Sequence, residues 1–292
     1  MSEDKKNIFE LLDSKSALIV GAVGGLLTLG TLGFIILGTL VLQGKVGGGN
    51  KSGNQQVATV QQPSQQQPQQ QQPANVPKNS RPKVELFVMS YCPYGLQMEK
   101  AYLPAMDLLK NKADFSIKFV SYAMHGQKEV EENTRQYCIE KEQPAKLSAY
   151  LNCFFTAGQN DGSTANYKKC LTSAGVNESA LNSCYNKADK DFGIMAKYND
   201  QGSWLSGRYP IYPVHQADND RYGVQGSPTL VINGVESQAG RTPEAIKQAV
   251  CAAFDNAPAE CKTTLPTNSF QPGFGLSAAG TGGNTAAAGC GT

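Results

Sequence analysis

Apolar and polar positions divide the chain into four stretches. Ala17 to Leu42 is an uncharged apolar run of about 26 residues, enough for roughly 30 Å of hydrocarbon with some tilt. Cleaved signals have apolar cores of roughly 7–15 residues and a small-residue cleavage site, so this run predicts a retained transmembrane helix. Residues 43–82 are rich in Gln, Pro and Gly and nearly free of large apolar side chains, which predicts a flexible linker. Residues 83–262 regain regular periodicity and suit one domain of ordinary size. From 263 to 292 Gly, Ala, Ser and Thr dominate, and the pattern predicts a disordered tail.

Inside the third stretch, Val84–Met89 is a short apolar strand bounded by Pro82 and a Cys-Pro turn. Leu96, Tyr102, Leu103, Met106 and Leu109 follow at helical spacing, with a kink expected at Pro104. Phe115–Tyr122 alternates as a strand does, completing a β-α-β unit. From about 127 to 203 only helical patterns occur. Thr229–Val235 then returns to a strand and an Asn233-Gly234 turn. Thr242-Pro243 opens a last helix, with Thr242 as its cap and Pro at the first helical position. The expected architecture is an α/β sheet interrupted by a helical insertion.

Charge orients this plan. Lys5, Lys6 and Lys15 precede the apolar run against Lys45 and Lys51 after it, which favours residues 1–16 in the cytoplasm and the folded domain outside, in a periplasm or at a cell surface. Gly21 and Gly25 form a small-xxx-small pair that would allow dimerisation through the span. The net charge is +2 with both signs interspersed, so nucleic acid is not an expected partner. With two histidines and no Cys-x₂-Cys pair, zinc spacings are absent, and neither a metal nor a cofactor is expected. Six of the eight cysteines fall between 138 and 261, and such an even, dispersed set behind an export anchor reads as disulfides in an oxidising compartment.

Cys138, Cys153, Cys170 and Cys184 allow three pairings. Successive antiparallel helices favour the nested set, Cys138–Cys184 and Cys153–Cys170. Cys251–Cys261 reads as a local bridge, which leaves Cys92 and Cys290. Cys92 lies between the first strand and its helix, where unpaired N–H groups and the positive end of the helix dipole stabilise a thiolate. Pro93 suits the first helical turn. Three residues after Cys92, where a redox pair would place its second sulfur, stands Gly95. Cys290, near the chain end, is a candidate distant resolving thiol, with a surface attachment point or an incidental cysteine as the alternatives. His125 reads as a structural hydrogen-bonding group. His215, in the Pro/Tyr-rich segment from Arg208, reads as an exposed loop residue.

Phe87 through Gly95, taken with Tyr222-Gly223-Val224-Gln225-Gly226-Ser227-Pro228-Thr229, resembles the DsbA-like branch of the thioredoxin superfamily. Between them, His125-Gly126-x-x-Glu129-x-x-x-Asn133 followed by Cys138 resembles the signature of the gamma-interferon-inducible lysosomal thiol reductase family. Over residues 83–262 the resemblance implies a thioredoxin-like fold with Ser227–Pro228 as the cis-proline loop. In such proteins that loop lies against the active-site sulfur and pairs with substrate backbone. It implies Cys92 as nucleophile, with Pro93, Tyr94, Ser227 and Pro228 contacting substrate. Two cysteines of the family signature are Ala123 and Val130 here. The expected activity is mixed-disulfide exchange with cysteine-containing exported proteins or a small thiol. The alternative is a peptide-binding or chaperone module without turnover.

Overall fold

The computed structural model describes residues 76–160, 163–279 and 289–291. The apolar run 17–42 and most of the linker lie outside the described residues. Among the described residues no helix is long and apolar enough to cross a membrane.

Strand β1 (Lys83–Val88) sits between β2 (Asp114–Phe119) and β4 (Thr229–Ile232) in a four-stranded sheet of order β2-β1-β4-β5, with β5 at Val235–Ser237. β1 runs parallel to β2 and antiparallel to β4, and β4 is antiparallel to β5. The parallel pair needs a crossover, supplied by helix α1 (Pro93–Leu109). The antiparallel pair β4 and β5 needs only the Asn233-Gly234 turn, whose two residues have φ of 49° and 83°. The sheet is mixed, its first crossover is a helix, and a cis-proline enters β4. This is the thioredoxin-like α/β fold.

Side-chain alternation along β1 assigns the two faces of the sheet. Val84, Leu86 and Val88 belong to the main core with α1 and α8 (Pro243–Ala252). Phe87 and Met89 point to a smaller cluster with Val120, Tyr122, Val231 and Cys92. α1 runs through Pro104 as one continuous helix. Thr242 Oγ1 accepts the Ala245 N–H at 3.1 Å and caps α8.

The insertion is five helices: α2 (Gln127–Glu142), α3 (Pro144–Ala157), α4 (Tyr167–Ala174), α5 (Glu178–Phe192) and α6 (Ile194–Asn199), closed by a 3₁₀ turn at Gln201–Ser203. Cys138–Cys184 joins α2 to α5, and Cys153–Cys170 joins α3 to α4. By chain entropy alone, loops with separations of 46 and 17 residues are worth about 4 and 3 kcal/mol. Cys251–Cys261 ties the end of α8 to the turn after it. Ala123 and Val130 are fully buried in the main core.

Both ends of the domain differ from the sequence expectation. The body begins before Lys83: Asn79 pairs with Ala253 and Asp255, and Asn233 Nδ2 donates to Pro77 O at 2.6 Å. Residues 263–279, expected as disordered tail, pack on the body instead. The Lys100 ammonium donates to the carbonyls of Gln271, Gly273 and Gly275 at 2.7, 2.8 and 2.8 Å. Phe274 packs edge-on against Tyr91 and Phe154. Composition missed this because one buried cation satisfies three backbone acceptors, and the glycines that suggest disorder let the chain lie close. His215 is likewise no exposed loop residue. It precedes α7 (Gln216–Tyr222), stacks on Phe119, and its Nδ1 accepts the Phe119 N–H at 3.0 Å.

Candidate active site

Cys92 caps α1. Its φ and ψ of −67° and 123° are extended, and the Gly95 N–H points at its sulfur at 3.4 Å. The residue is fully buried, and Sγ lies 3.5 Å from the carbonyl oxygen of Ser227. The signature residues of α2 hold the turn that carries it. Asn133 Oδ1 accepts the Ser90 N–H at 3.1 Å, and Glu129 Oε2 accepts the Tyr91 N–H at 3.2 Å. Glu129 Oε1 also accepts the Met124 N–H at 2.8 Å. Four residues apart on one helix face, these two side chains satisfy consecutive amides of the turn before Cys92.

His125 Nδ1 is 2.5 Å from Glu129 Oε2, so its ring serves the same clamp. The imidazole borders a cavity of about 330 Å³ lined by Tyr91, Pro93, Lys128, Asn160 and Phe274, while the Cys92 sulfur faces Ser227. Tyr91 OH accepts the Ala165 N–H at 3.0 Å, linking the turn to the insertion. Tyr94 is half-buried beneath the Arg241 guanidinium, 5.4 Å from its ring centroid, and Pro93 is exposed at the helix start.

Ser227–Pro228 is the cis peptide bond of the described residues. Ser227 does three things at once. Its hydroxyl accepts the Met89 N–H at 2.9 Å, its carbonyl borders the Cys92 sulfur, and its backbone pairs with a further strand. A Cβ at Gly95 would stand 2.6 Å from that hydroxyl and 2.9 Å from Met89 O. The Ser227 side chain thus fills the space toward which a side chain at position 95 would point. Nothing in the residue types alone signals this.

The further strand is the C-terminus. β3 (Gly226–Ser227) pairs antiparallel with β6 (Cys290–Gly291), in the register Gly226↔Gly291 and Ser227↔Cys290. Cys92 and Cys290 are joined by a disulfide across 198 residues of sequence. The sequence expectation left both thiols unpaired; the register on β3 brings them together. No cysteine is free among the described residues, and no cluster of metal-binding side chains occurs among them.

A strand, a cysteine at a helix start and a cis-proline loop against the sulfur place this domain among thiol–disulfide oxidoreductase-like thioredoxin folds. Residues 83–188 match the family model described as gamma interferon inducible lysosomal thiol reductase (GILT). The matched segment contains Cys92, Glu129, Asn133 and the four cysteines of the insertion. No curated protein matches the sequence. Among solved structures, the chain is similar to reduced DsbA from Mycobacterium tuberculosis at 15% identity and a TM-score of 0.44, over 63% of this chain and 93% of that one. Oxidised BdbD from Bacillus subtilis aligns at 16% identity and 0.39, over 63% and 90%. The reduced disulfide bond oxidoreductase DsbG from Mycobacterium tuberculosis aligns at 14% and 0.42, over 63% and 88%.

Proposed function

We propose that the protein is a membrane-anchored thiol–disulfide oxidoreductase or isomerase that works through Cys92. Its folded domain lies on the extracytoplasmic side, and its partners are cysteine-containing exported proteins or a small thiol. The observation that carries this reading is the Cys92–Cys290 bond itself. A cysteine-bearing strand lies antiparallel on the edge beside the cis-proline with its sulfur joined to Cys92. A covalent enzyme–peptide intermediate needs the same arrangement.

Thiolate attack requires a sulfur whose negative charge is stabilised. The α1 N-terminus and the Gly95 N–H supply that, and α2 holds the turn rigid through Glu129 and Asn133. The four disulfides support an oxidising compartment, and the apolar run 17–42 supports an anchor with residues 1–16 in the cytoplasm. A second reading, a peptide-binding module without turnover, is favoured by how readily the β3 edge accepts an extended segment.

The two readings part on trapping. Cells producing the full-length protein are quenched in acid and alkylated, and mixed disulfides are resolved on non-reducing gels. The enzyme reading expects adducts that vanish with Cys92→Ala. Non-covalent capture of peptides by both wild type and Cys92→Ala, with no adduct in either, would establish the binding module instead.

A further inference from the structure

We propose that Cys290 is the resolving cysteine of this protein, delivered to Cys92 by a C-terminal strand that docks on the cis-proline edge. The redox couple is then Cys92–Cys290 in place of a Cys-x-x-Cys pair. The inference rests on the reading of Cys92 as nucleophile and adds the group that completes its chemistry.

Three independent features converge on it. First, the usual place for the second thiol is closed: a Cβ at Gly95 would meet the Ser227 hydroxyl at 2.6 Å and the Met89 carbonyl at 2.9 Å. Second, the tail is shaped for its berth. A Cβ on Gly226 would lie 2.6 Å from Cys290 O, one on Gly289 2.8 Å from Ser227 O, and one on Gly291 3.1 Å from Gln225 O. Glycine on both sides of Cys290, and at Gly226 opposite Gly291 on β3, is what lets the two backbones approach. Third, the chain leading to the strand is anchored beside the site. Gly273 N–H donates to the carbonyl of Pro93 at 2.7 Å, and Lys100 holds the neighbouring carbonyls. A thiol so tethered acts at an effective concentration on the order of millimolar.

The reduction of substrate balances with the two protein thiols alone. The Cys92 thiolate attacks one sulfur of a substrate disulfide. A Cys92–substrate bond forms, the substrate S–S bond breaks, and the displaced sulfur leaves as a thiolate that takes a proton from water. The Cys290 thiolate then attacks Cys92 Sγ. The Cys92–Cys290 bond forms, the Cys92–substrate bond breaks, and the second substrate sulfur leaves and is protonated. Two electrons pass from the two protein thiols to the substrate. Run in reverse, a substrate dithiol is oxidised and the protein reduced. One dithiol, or two equivalents of a small monothiol such as glutathione, returns the oxidised protein to its starting state. Because β6 occupies the backbone groups of Gly226 and Ser227, closure of the bond also covers the edge on which a peptide would pair.

The test is a single turnover with full-length, reduced protein and a synthetic peptide carrying one intramolecular disulfide, quenched in acid and read by mass spectrometry. Wild type should pass through a transient adduct at Cys92 and end with Cys92–Cys290 closed and one equivalent of peptide dithiol. Cys290→Ser should accumulate the adduct and release dithiol about tenfold or more slowly. Gly289→Val keeps the thiol but sets a side chain against Ser227 O, and should slow release while leaving adduct formation unchanged. Mapping of the other three disulfides in each variant verifies the fold. Release from Cys290→Ser at the wild-type rate would overturn the proposal while leaving Cys92 as nucleophile. Absence of any Cys92 adduct in wild type and Cys290→Ser alike overturns the reading of Cys92 and the proposal with it.

Discussion

Filling the space beside the active-site sulfur tests the crowding argument directly. Gly95→Ala adds one methyl at the third residue of α1, where it meets Ser227 Oγ at 2.6 Å and Met89 O at 2.9 Å. Both separations are below van der Waals contact, and the second partner is backbone. Overpacking of this kind costs about 1–3 kcal/mol. Alanine's better helix propensity returns up to about 1 kcal/mol. The net expectation is a loss of about 1–2 kcal/mol. Ser227→Ala alone leaves the Met89 N–H buried without its acceptor and costs about 1–3 kcal/mol. In the double variant the hydroxyl contact is gone, so the losses should fall short of their sum by about 1 kcal/mol. The Met89 carbonyl contact persists, so recovery is incomplete. Urea unfolding of the oxidised full-length protein, with the m-value checked for constancy, measures all four corners of the cycle. A neutral Gly95→Ala together with zero coupling would refute the claim that Ser227 occupies the space at position 95.

Lys100→Met removes the donor shared by three tail carbonyls. A local loss of about 2 kcal/mol should speed amide exchange at Gly273 and Gly275 about thirtyfold, with the sheet amides unchanged. His215 has its pKa pulled down from 6.5 to about 4, first by burial and then by the Lys118 ammonium. The unfolded chain takes up this proton as pH falls through 6.5, and the native state not until about 4. Stability is therefore complete above pH 6.5 and declines toward pH 4 by up to about 3 kcal/mol, a slope that His215→Gln should remove from urea midpoints. Arg135 pairs with the fully buried Glu132, which also accepts from Gln136 and Tyr150 at 2.9 and 2.8 Å. Arg135→Met strands that carboxylate and should cost about 3–5 kcal/mol by the same assay. Arg135→Met with Glu132→Leu should recover most of it.

Much of the scaffold was legible because its signals are local. The apolar run of β1, the Asn233-Gly234 turn, the Thr242-Pro243 helix start and the Cys92-Pro93 turn each depend on a few adjacent residues. His215 was misread because the group that accounts for it, the Phe119 N–H, belongs to a strand 96 residues earlier. Ser227 was noticed for its place before Pro228, yet its hydroxyl matters through Met89 and Gly95, two contacts no local pattern encodes. The tail was misread for a related reason. Glycine is permissive and reports nothing about what it lies against.

Residue order alone therefore supplied the parts of the proposed chemistry: a thiol at a helix start, a proline loop to face it, and no second sulfur three residues on. Which sulfur meets that thiol was decided by tertiary structure. A β ladder is a contact between backbones, and only the register of Cys290 on Ser227 turns the last cysteine of the chain into the partner of the first.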